Sequence, residues 1–278
     1  MSKKKKLKND QIQHELLAPK RFSDLNEVLD KKGWKKDVLS QHIEAAFCNI
    51  GTTYLNLKSH LDLMIKATEI FENIIEEFSV SDLKEAITKG LFYRSYSCFF
   101  GASRMVCSGQ LTETWILARA CIENMLYSFY FANDASTIDV WINRHKDPQV
   151  LKKCKRLFLM TNIWNILKEK SPLTEQSIRK HYDMTIDWGA HPNERSLFPN
   201  MEASGSGLSL LMFNVDPNLI KATILELIII CLDTFKVGRL IFTKQFEHPN
   251  IQIKIQNLQK QSSPLGFEVA NQLRKYYK

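Results

Sequence analysis

Leu111-Thr-Glu-Thr-Trp-Ile-Leu-Ala-Arg-Ala-Cys-Ile-Glu-Asn-Met-Leu-Tyr-Ser-Phe-Tyr-Phe-Ala-Asn133 is the stretch whose reading decides the fold. Its apolar residues, from Trp115 and Ile116 through Met125, Leu126, Phe129 and Tyr130, fall on nearly every side of a helical wheel. A helix apolar all round belongs inside a core. A second apolar stretch, 84–107, precedes it, and Ser108-Gly109-Gln110 lies between them. Glycine supplies the left-handed cap that ends a helix, so the pair is expected to reverse there. The only charges in 111–133 are Glu113, Arg119 and Glu123. Arg119 and Glu123 are four apart and share a face. Charges taken into an interior must be paired and hydrogen-bonded. Two readings follow: an ion pair that ties helices together, or the lining of a polar pocket, since perturbed charges gather at sites.

Around this centre the rest of the 278-residue chain reads as mostly α, a multi-helix bundle. Ten glycines and eight prolines are few, which favours helices over a β-sandwich. Four starts share a capping residue followed by proline: Asp147-Pro148, Ser171-Pro172, Asp216-Pro217 and Ser263-Pro264. The capping oxygen satisfies free N–H groups, and proline loses nothing at the first helical position. Helices are therefore expected near 137–145, 148–169, 172–188, 217–246 and 264–276. Earlier, a long amphipathic pattern covers 40–78 with an interruption near Gly51, and Ser79-Val-Ser81-Asp82 offers an N-cap for the helix that follows. The exception is 195–213, where Gly205-Ser206-Gly207 and an apolar run suggest a small β-hairpin or a lid.

The formal net charge of +8 is unevenly spread. Residues 1–36 hold 11 Lys/Arg and 5 Asp/Glu against 38 and 30 in the whole chain, which leaves the remainder only +2. The division expected is a basic flexible arm over 1–20 and a single helical domain over 21–278. The arm reads as a solvated tail, with salt-sensitive contact to nucleic acid as the alternative. Six cysteines without a C-x-x-C pair read as core residues in a reducing, cytoplasmic setting, neither a disulfide framework nor a zinc site. No apolar run follows Lys3–Lys6, so a signal peptide is not expected. The most apolar segment, 224–232, contains Glu226 and is too short to span a membrane.

Three places hold residues suited to chemistry. At 182–193 the sequence is Tyr-Asp-Met-Thr-Ile-Asp-Trp-Gly-Ala-His-Pro-Asn. Gly189 and Pro192 mark the end of a helix, with His191 on a constrained turn just past it. Asp183 and Asp187 share a helical face, and Asp187 would reach His191 if the helix continued. A carboxylate beside an imidazole sets its tautomer, as acid–base catalysts require. A helix C-cap closed by Asn193 is the plainer reading. At 141–147, Asn143, Arg144, His145 and Lys146 crowd one helix end, where they suit an anion or simply face solvent. In the stretch 84–107, Arg94 and Arg104 are the charges to explain; ten residues apart, they fall on different faces of the helix.

Sharper motifs are missing: no G-x-x-x-x-G-K-[ST], G-x-G-x-x-G, H-E-x-x-H or G-x-S-x-G occurs. Neither a metal nor another cofactor is expected.

The runs Gly101–Gln110, Leu117-Ala-Arg-Ala-Cys-Ile-Glu123, Trp141-Ile-Asn-Arg-His145 and Ile186-Asp-Trp-Gly-Ala-His-Pro-Asn193 resemble a group of uncharacterised bacterial helical proteins, over residues 80–195. The Arg-x-x-x-Glu helix followed by Tyr182 and His191-Pro192 is similar to HEPN-like helical domains. That superfamily includes ribonucleases of toxin and phage-defence systems. The resemblance implies that Arg119, Glu123 and His191 converge in one pocket. The superfamily's nuclease signature, an Arg and a His separated by four to six residues on one helix, has no counterpart here.

Three functions stand against one another at this point. The first is a helical domain that binds a nucleotide, RNA or a protein partner, with Arg104, Asn143, Arg144, His145, Tyr182, Asp187 and Asn193 as ligand contacts. The second is a metal-independent HEPN-like ribonuclease. There His191 is the acid/base, Arg119 stabilises the transition-state charge and Glu123 orients Arg119. The third is a scaffold whose polar core residues serve packing alone. Oligomeric state is open, and no membrane partner is expected.

Overall fold

The computed structural model describes residues 33–204 and 207–276. In chain order the helices are α1 (Val38–Asn56), α2 (Lys58–Glu76), α3 (Leu83–Ser108), α4 (Leu111–Asn133), α5 (Ser136–Ile142), α6 (Pro148–Leu157), α7 (Met160–Lys170) and α8 (Pro172–Thr185). A π-helical turn (Ile186–Ala190), α9 (Glu194–Leu197) and a 3₁₀ turn (Phe198–Asn200) follow. Strands β1 (Met201–Ser204) and β2 (Gly207–Leu210) pair antiparallel, with Met201 opposite Leu210. Helices α10 (Pro217–Ile241), α11 (Thr243–Phe246) and α12 (Pro249–Tyr276) complete the chain. The protein is thus mostly α, with one small hairpin. The expected basic arm over 1–20 lies outside the described residues.

The chain separates into two compact units at Cys48–Asn49. In the first, Trp34 donates its indole N–H to Glu44, Lys35 pairs with the same carboxylate, and Asp37 accepts the Ser40 amide at the start of α1.

The second unit is built on the reversal at Gly109. Its φ is +85°, the left-handed region that glycine enters without a Cβ clash. The amide of Gln110 returns to the Met105 carbonyl at 2.9 Å, closing the cap. Any larger residue would place a Cβ 2.5 Å from the Asn214 carbonyl oxygen. Helices α3 and α4 then run back along each other as the most extensively packed pair. Ser95 donates to the Cys121 carbonyl and Ser128 to the Thr88 carbonyl, so hydroxyls inside the pair are satisfied by the neighbouring helix.

Helix α10 lies against α2, α3, α4 and α8, and α12 covers α2 and α10. Phe71 sits at the middle of this assembly. Its ring centre is 4.7 Å from that of Phe235, 5.1 Å from Tyr96 and 5.5 Å from Phe92. All but Tyr96 are close to fully buried. Five of the six cysteines are buried and none is bonded to another, as expected of core residues. Among the described residues no helix is long and apolar enough to cross a membrane.

Several expected boundaries are corrected. The pattern over 40–78 breaks at Leu57 and runs helical through Gly51. Within the expected capping stretch Ser79–Asp82, it is Asp82 that caps α3, accepting the Glu85 amide. The helix expected over 148–169 is two, because Phe158 leaves the helical path to pack on Tyr127, Tyr130 and Phe131. Asn162 Nδ2 then takes up the freed carbonyls of Arg156 and Leu157. Ser263-Pro264 does not open a helix. Pro264 lies inside α12, and the hydroxyls of Ser262 and Ser263 both donate back to the Gln259 carbonyl. A proline there leaves one carbonyl of the preceding turn without its usual donor. Ser263, expected to cap, is a back-bonding residue.

Candidate functional site

Arg119 and Glu123 stand one turn apart on α4, and Nε of the arginine donates to Oε1 of the glutamate at 2.8 Å. Tyr182, near the end of α8, closes the triangle. Its hydroxyl accepts from Arg119 Nη2 at 3.0 Å and donates to the same Oε1 at 3.2 Å. The guanidinium also lies over the Tyr182 ring, 5.1 Å from its centre, where the ring's negative face attracts a cation. Trp164 of α7 packs edge-on against that ring and holds it in place.

The fourth member is His191. Its Nε2 is 3.2 Å from Arg119 Nη1. A guanidinium only donates, so Nε2 is the accepting atom in this arrangement and the ring proton belongs on Nδ1. Arg119 has five N–H groups and these contacts use three. Two N–H groups therefore have no acceptor among the described residues.

Local backbone geometry brings His191 here. Helix α8 ends in the π turn Ile186–Ala190, a wide turn often found at functional sites. That turn packs directly on α4. Gly189 makes this possible: a Cβ there would stand 2.4 Å from the Thr112 carbonyl oxygen and 2.9 Å from the Trp115 Cβ. The segment beyond is pinned as well. Asn193 caps α9 by accepting the Ser196 amide, while Asn200 Nδ2 donates to the Thr112 hydroxyl.

The electrostatics keep the Arg119 guanidinium charged and the Tyr182 phenol neutral. Burial alone disfavours the Arg119 charge, but Glu123 and Tyr182 more than offset it, and the guanidinium is held above its ordinary pKa. Burial and then the Glu123 carboxylate push the Tyr182 phenol up, against the opposing effect of Arg119. Arg119 and Glu123 are partly exposed and His191 is at the surface.

Beside this cluster a cleft of about 570 Å³ opens between α3, α4, α5 and α6. Glu123 belongs to both. Tyr127, Trp141, Arg144 and Lys155 also line the cleft. Arg144 stands over the Trp141 ring, 4.8 Å from its centre, and donates to the Trp141 carbonyl.

The structure thus gathers Arg119, Glu123, Tyr182 and His191, with Arg144 lining the adjoining cleft. The other candidates lie elsewhere. Arg104 is exposed on α3 and shares no hydrogen bond with the cluster. Asn143 donates to the Asp139 carbonyl at the end of α5, and His145 is exposed beyond it. Asn193 is a capping residue. Asp187 turns to Arg195, at 2.9 Å, and not to His191. The π turn breaks the four-residue spacing that would have joined Asp187 to His191, and Arg119 takes the carboxylate's place beside the imidazole. Among the described residues no group of His, Cys, Asp or Glu is arranged to hold a metal ion.

One cluster escaped the sequence reading. Asp233, 1% exposed in α10, accepts from Ser177 at 2.7 Å and from Lys236 at 2.6 Å, with His181 Nδ1 at 2.7 Å. It joins α8 to α10 immediately behind Tyr182. Burial raises its pKa, but the bonds from His181, Lys236 and Ser177 outweigh that and hold the carboxyl below its ordinary value. The available signal was a carboxylate closing the apolar run 224–232, where a charge demands partners.

Comparison with protein-family models, with curated proteins and with solved structures finds no match to this chain.

Proposed function

We propose that this protein binds the phosphate of a nucleotide or of RNA through Arg119, Tyr182 and His191. The supporting observation is the arrangement around Arg119. Its guanidinium is oriented by Glu123 and Tyr182, retains two unused N–H groups, and stands beside the exposed ring of His191. A planar, fixed fork of donors matches a phosphate better than a mobile ammonium does. The anion would replace His191 Nε2 as the acceptor from Nη1, and Nε2, once it carries a proton, would donate to the same anion. Arg144 and Lys155 add positive charge at the neighbouring cleft.

Titration calorimetry with inorganic phosphate and nucleoside 5′-monophosphates tests this reading. Wild-type protein should bind both, and Arg119→Ala should weaken each by about tenfold or more, since charge-assisted bonds contribute roughly 1.5–3 kcal/mol apiece. Wild-type protein that binds neither would refute it.

A second reading, a metal-independent ribonuclease similar to HEPN-like enzymes, is favoured by the contact between His191 and the guanidinium. In that reaction the RNA 2′-hydroxyl attacks the adjacent phosphorus and the P–O5′ bond breaks. His191 would exchange the proton, and Arg119, oriented by Glu123, would stabilise the charge on the phosphoryl oxygens. Phosphate binding stands first because Glu123 Oε1 already accepts two bonds, leaving one exposed imidazole as the ready proton carrier. Release of a 2′,3′-cyclic phosphate from RNA by wild type, and its loss in His191→Ala, would favour the nuclease.

A further inference from the structure

The arginine, the glutamate and the next large residue of the same face form a line on α4. Arg119, Glu123 and Tyr127 follow at four-residue spacing, so each step advances about 6 Å along one side of the helix. The first is at the anion cluster, the second is shared, and the third lies in the cleft. The cleft has the two properties that a heteroaromatic ring requires. Its apolar side is made by Leu151, Cys154 and Phe158, with Tyr127 stacked on Phe158 at a ring separation of 5.5 Å and an interplanar angle of 10°. Its volume of about 570 Å³ falls within the roughly 300–1,000 Å³ typical of small-ligand pockets.

Its polar side accepts more than it donates where it meets α4. Glu123 Oε1 is committed to Arg119 and Tyr182, whereas Oε2 has no partner among the described residues. Asn124 uses Nδ2 to donate to the Ala120 carbonyl, which leaves Oδ1 as the atom it can offer. Both residues line the cleft, and the acceptors they have left suit a ring edge that carries N–H donors. Adenine, cytosine and guanine each present an exocyclic amine, where uracil presents a carbonyl.

We propose that the cleft beside Glu123 is a nucleobase subsite, holding an amino-bearing base between its aromatic and aliphatic walls while the attached phosphate sits on Arg119 and His191. This rests on the phosphate reading above and names its ligand class: a nucleotide unit, free or within single-stranded RNA. Arg144 and Lys155, which also line the cleft, offer charge to a second phosphate when the unit is part of a strand. Stacking of a base on such a surface contributes enough to be measured without a phosphate attached.

The test compares inorganic phosphate, the four ribonucleosides, their 5′-monophosphates and a short single-stranded RNA, in calorimetric titrations of the full chain. Adenosine, cytidine and guanosine 5′-monophosphates should bind about tenfold tighter than inorganic phosphate, and uridine 5′-monophosphate less so. Leu151→Trp fills the cleft. It should bring nucleotide affinity down to that of phosphate and leave phosphate affinity unchanged. Arg144→Gln should weaken the RNA more than the mononucleotides if the source is a strand, and both alike if it is a free nucleotide. The subsite is overturned if nucleotides bind no tighter than phosphate, or if Leu151→Trp leaves their advantage intact. Nucleosides that bind while phosphate does not would retain the subsite and remove the anion site. Failure of every probe removes both.

Discussion

Nε2 of His191 lies 3.2 Å from Nη1 of Arg119, a residue 72 positions earlier in the chain. No helix connects them. The contact exists because α8 unwinds into a π turn that lies flat on α4, and because the turn has a glycine where it touches the Thr112 carbonyl. Tyr182, on the last turn of α8, reaches the same guanidinium from the other side. The site is therefore a property of one helix end meeting one helix face.

Arg119→Ala separates binding from scaffolding. The ion pair with Glu123 is only partly buried, at 23% and 36% side-chain exposure. Solvent screens such a pair. Removing the arginine also leaves Tyr182 still donating to Glu123, so no buried group is orphaned. Loss of stability should be about 1 kcal/mol, well below the roughly 3–5 kcal/mol expected when a buried pair is broken. Phosphate affinity should nevertheless collapse. A urea melt and a phosphate titration on the same sample check this, and a loss near the upper figure with phosphate binding intact would identify a scaffold.

His191→Ala should be nearly silent in stability, within about 0.5 kcal/mol, because the ring is exposed and its one described contact is to a partly exposed arginine. Its effect belongs to binding: phosphate affinity should fall about tenfold, the worth of one hydrogen bond to a charged group. Thermal melting confirms the first half and titration the second. An unchanged affinity would remove His191 from the site.

Gly189→Ala tests how the turn is held against α4. The added methyl would meet the Thr112 carbonyl oxygen at 2.4 Å and the Trp115 Cβ at 2.9 Å, and neither can move without moving α4. Overpacking of this kind costs about 1–3 kcal/mol. The turn should lift, carrying His191 away from Arg119, so affinity falls with stability. Gly51→Ala is the internal comparison. It lies in α1 with nothing within 4 Å of an added Cβ, and it should stabilise by up to about 1 kcal/mol. Equal behaviour of the two would show that the close approach at Gly189 carries no constraint.

The bundle was legible because its signals are local. Helix 111–133 announces burial by being apolar all round, and Asp147, Asp216 and Gly109 mark ends by chemistry that acts within a few residues. The expectation that Arg119, Glu123 and His191 converge came from the resemblance, since no spacing rule links positions on different helices; Tyr182 was named only as a ligand contact, and its bonds to Arg119 and Glu123 became visible with the fold. What local rules missed has a common cause. Asp187 was expected to meet His191 on helical spacing, and a π turn changes that spacing. Pro264 was expected to start a helix, and the two serines before it back-bond instead. The tie of His181 to Asp233 spans 52 residues, so it became visible only with α8 set against α10.

That tie makes stability depend on acid. Asp233 is held below its ordinary carboxyl pKa of 3.8, and the groups facing it are His181, Lys236 and Ser177, with Glu226 3.9 Å from His181 on the far side of the imidazole. Burial pushes the Glu226 carboxyl the other way, up, so it does not supply the same protection. A carboxylate with a depressed folded pKa binds protons more weakly folded than unfolded. Its contribution is complete above the ordinary value and is lost as pH falls through the lower folded one. Asp233→Asn keeps the shape but drops the charge that accepts from Lys236. It should cost about 2 kcal/mol at neutral pH, and the gap from wild type should narrow as the pH drops below about 4. Urea melts of both proteins at pH 7 and pH 3 measure the gap directly. A difference that stays constant across that range would mean that packing of the side chain, and not its charge, fastens α8 to α10 behind Tyr182.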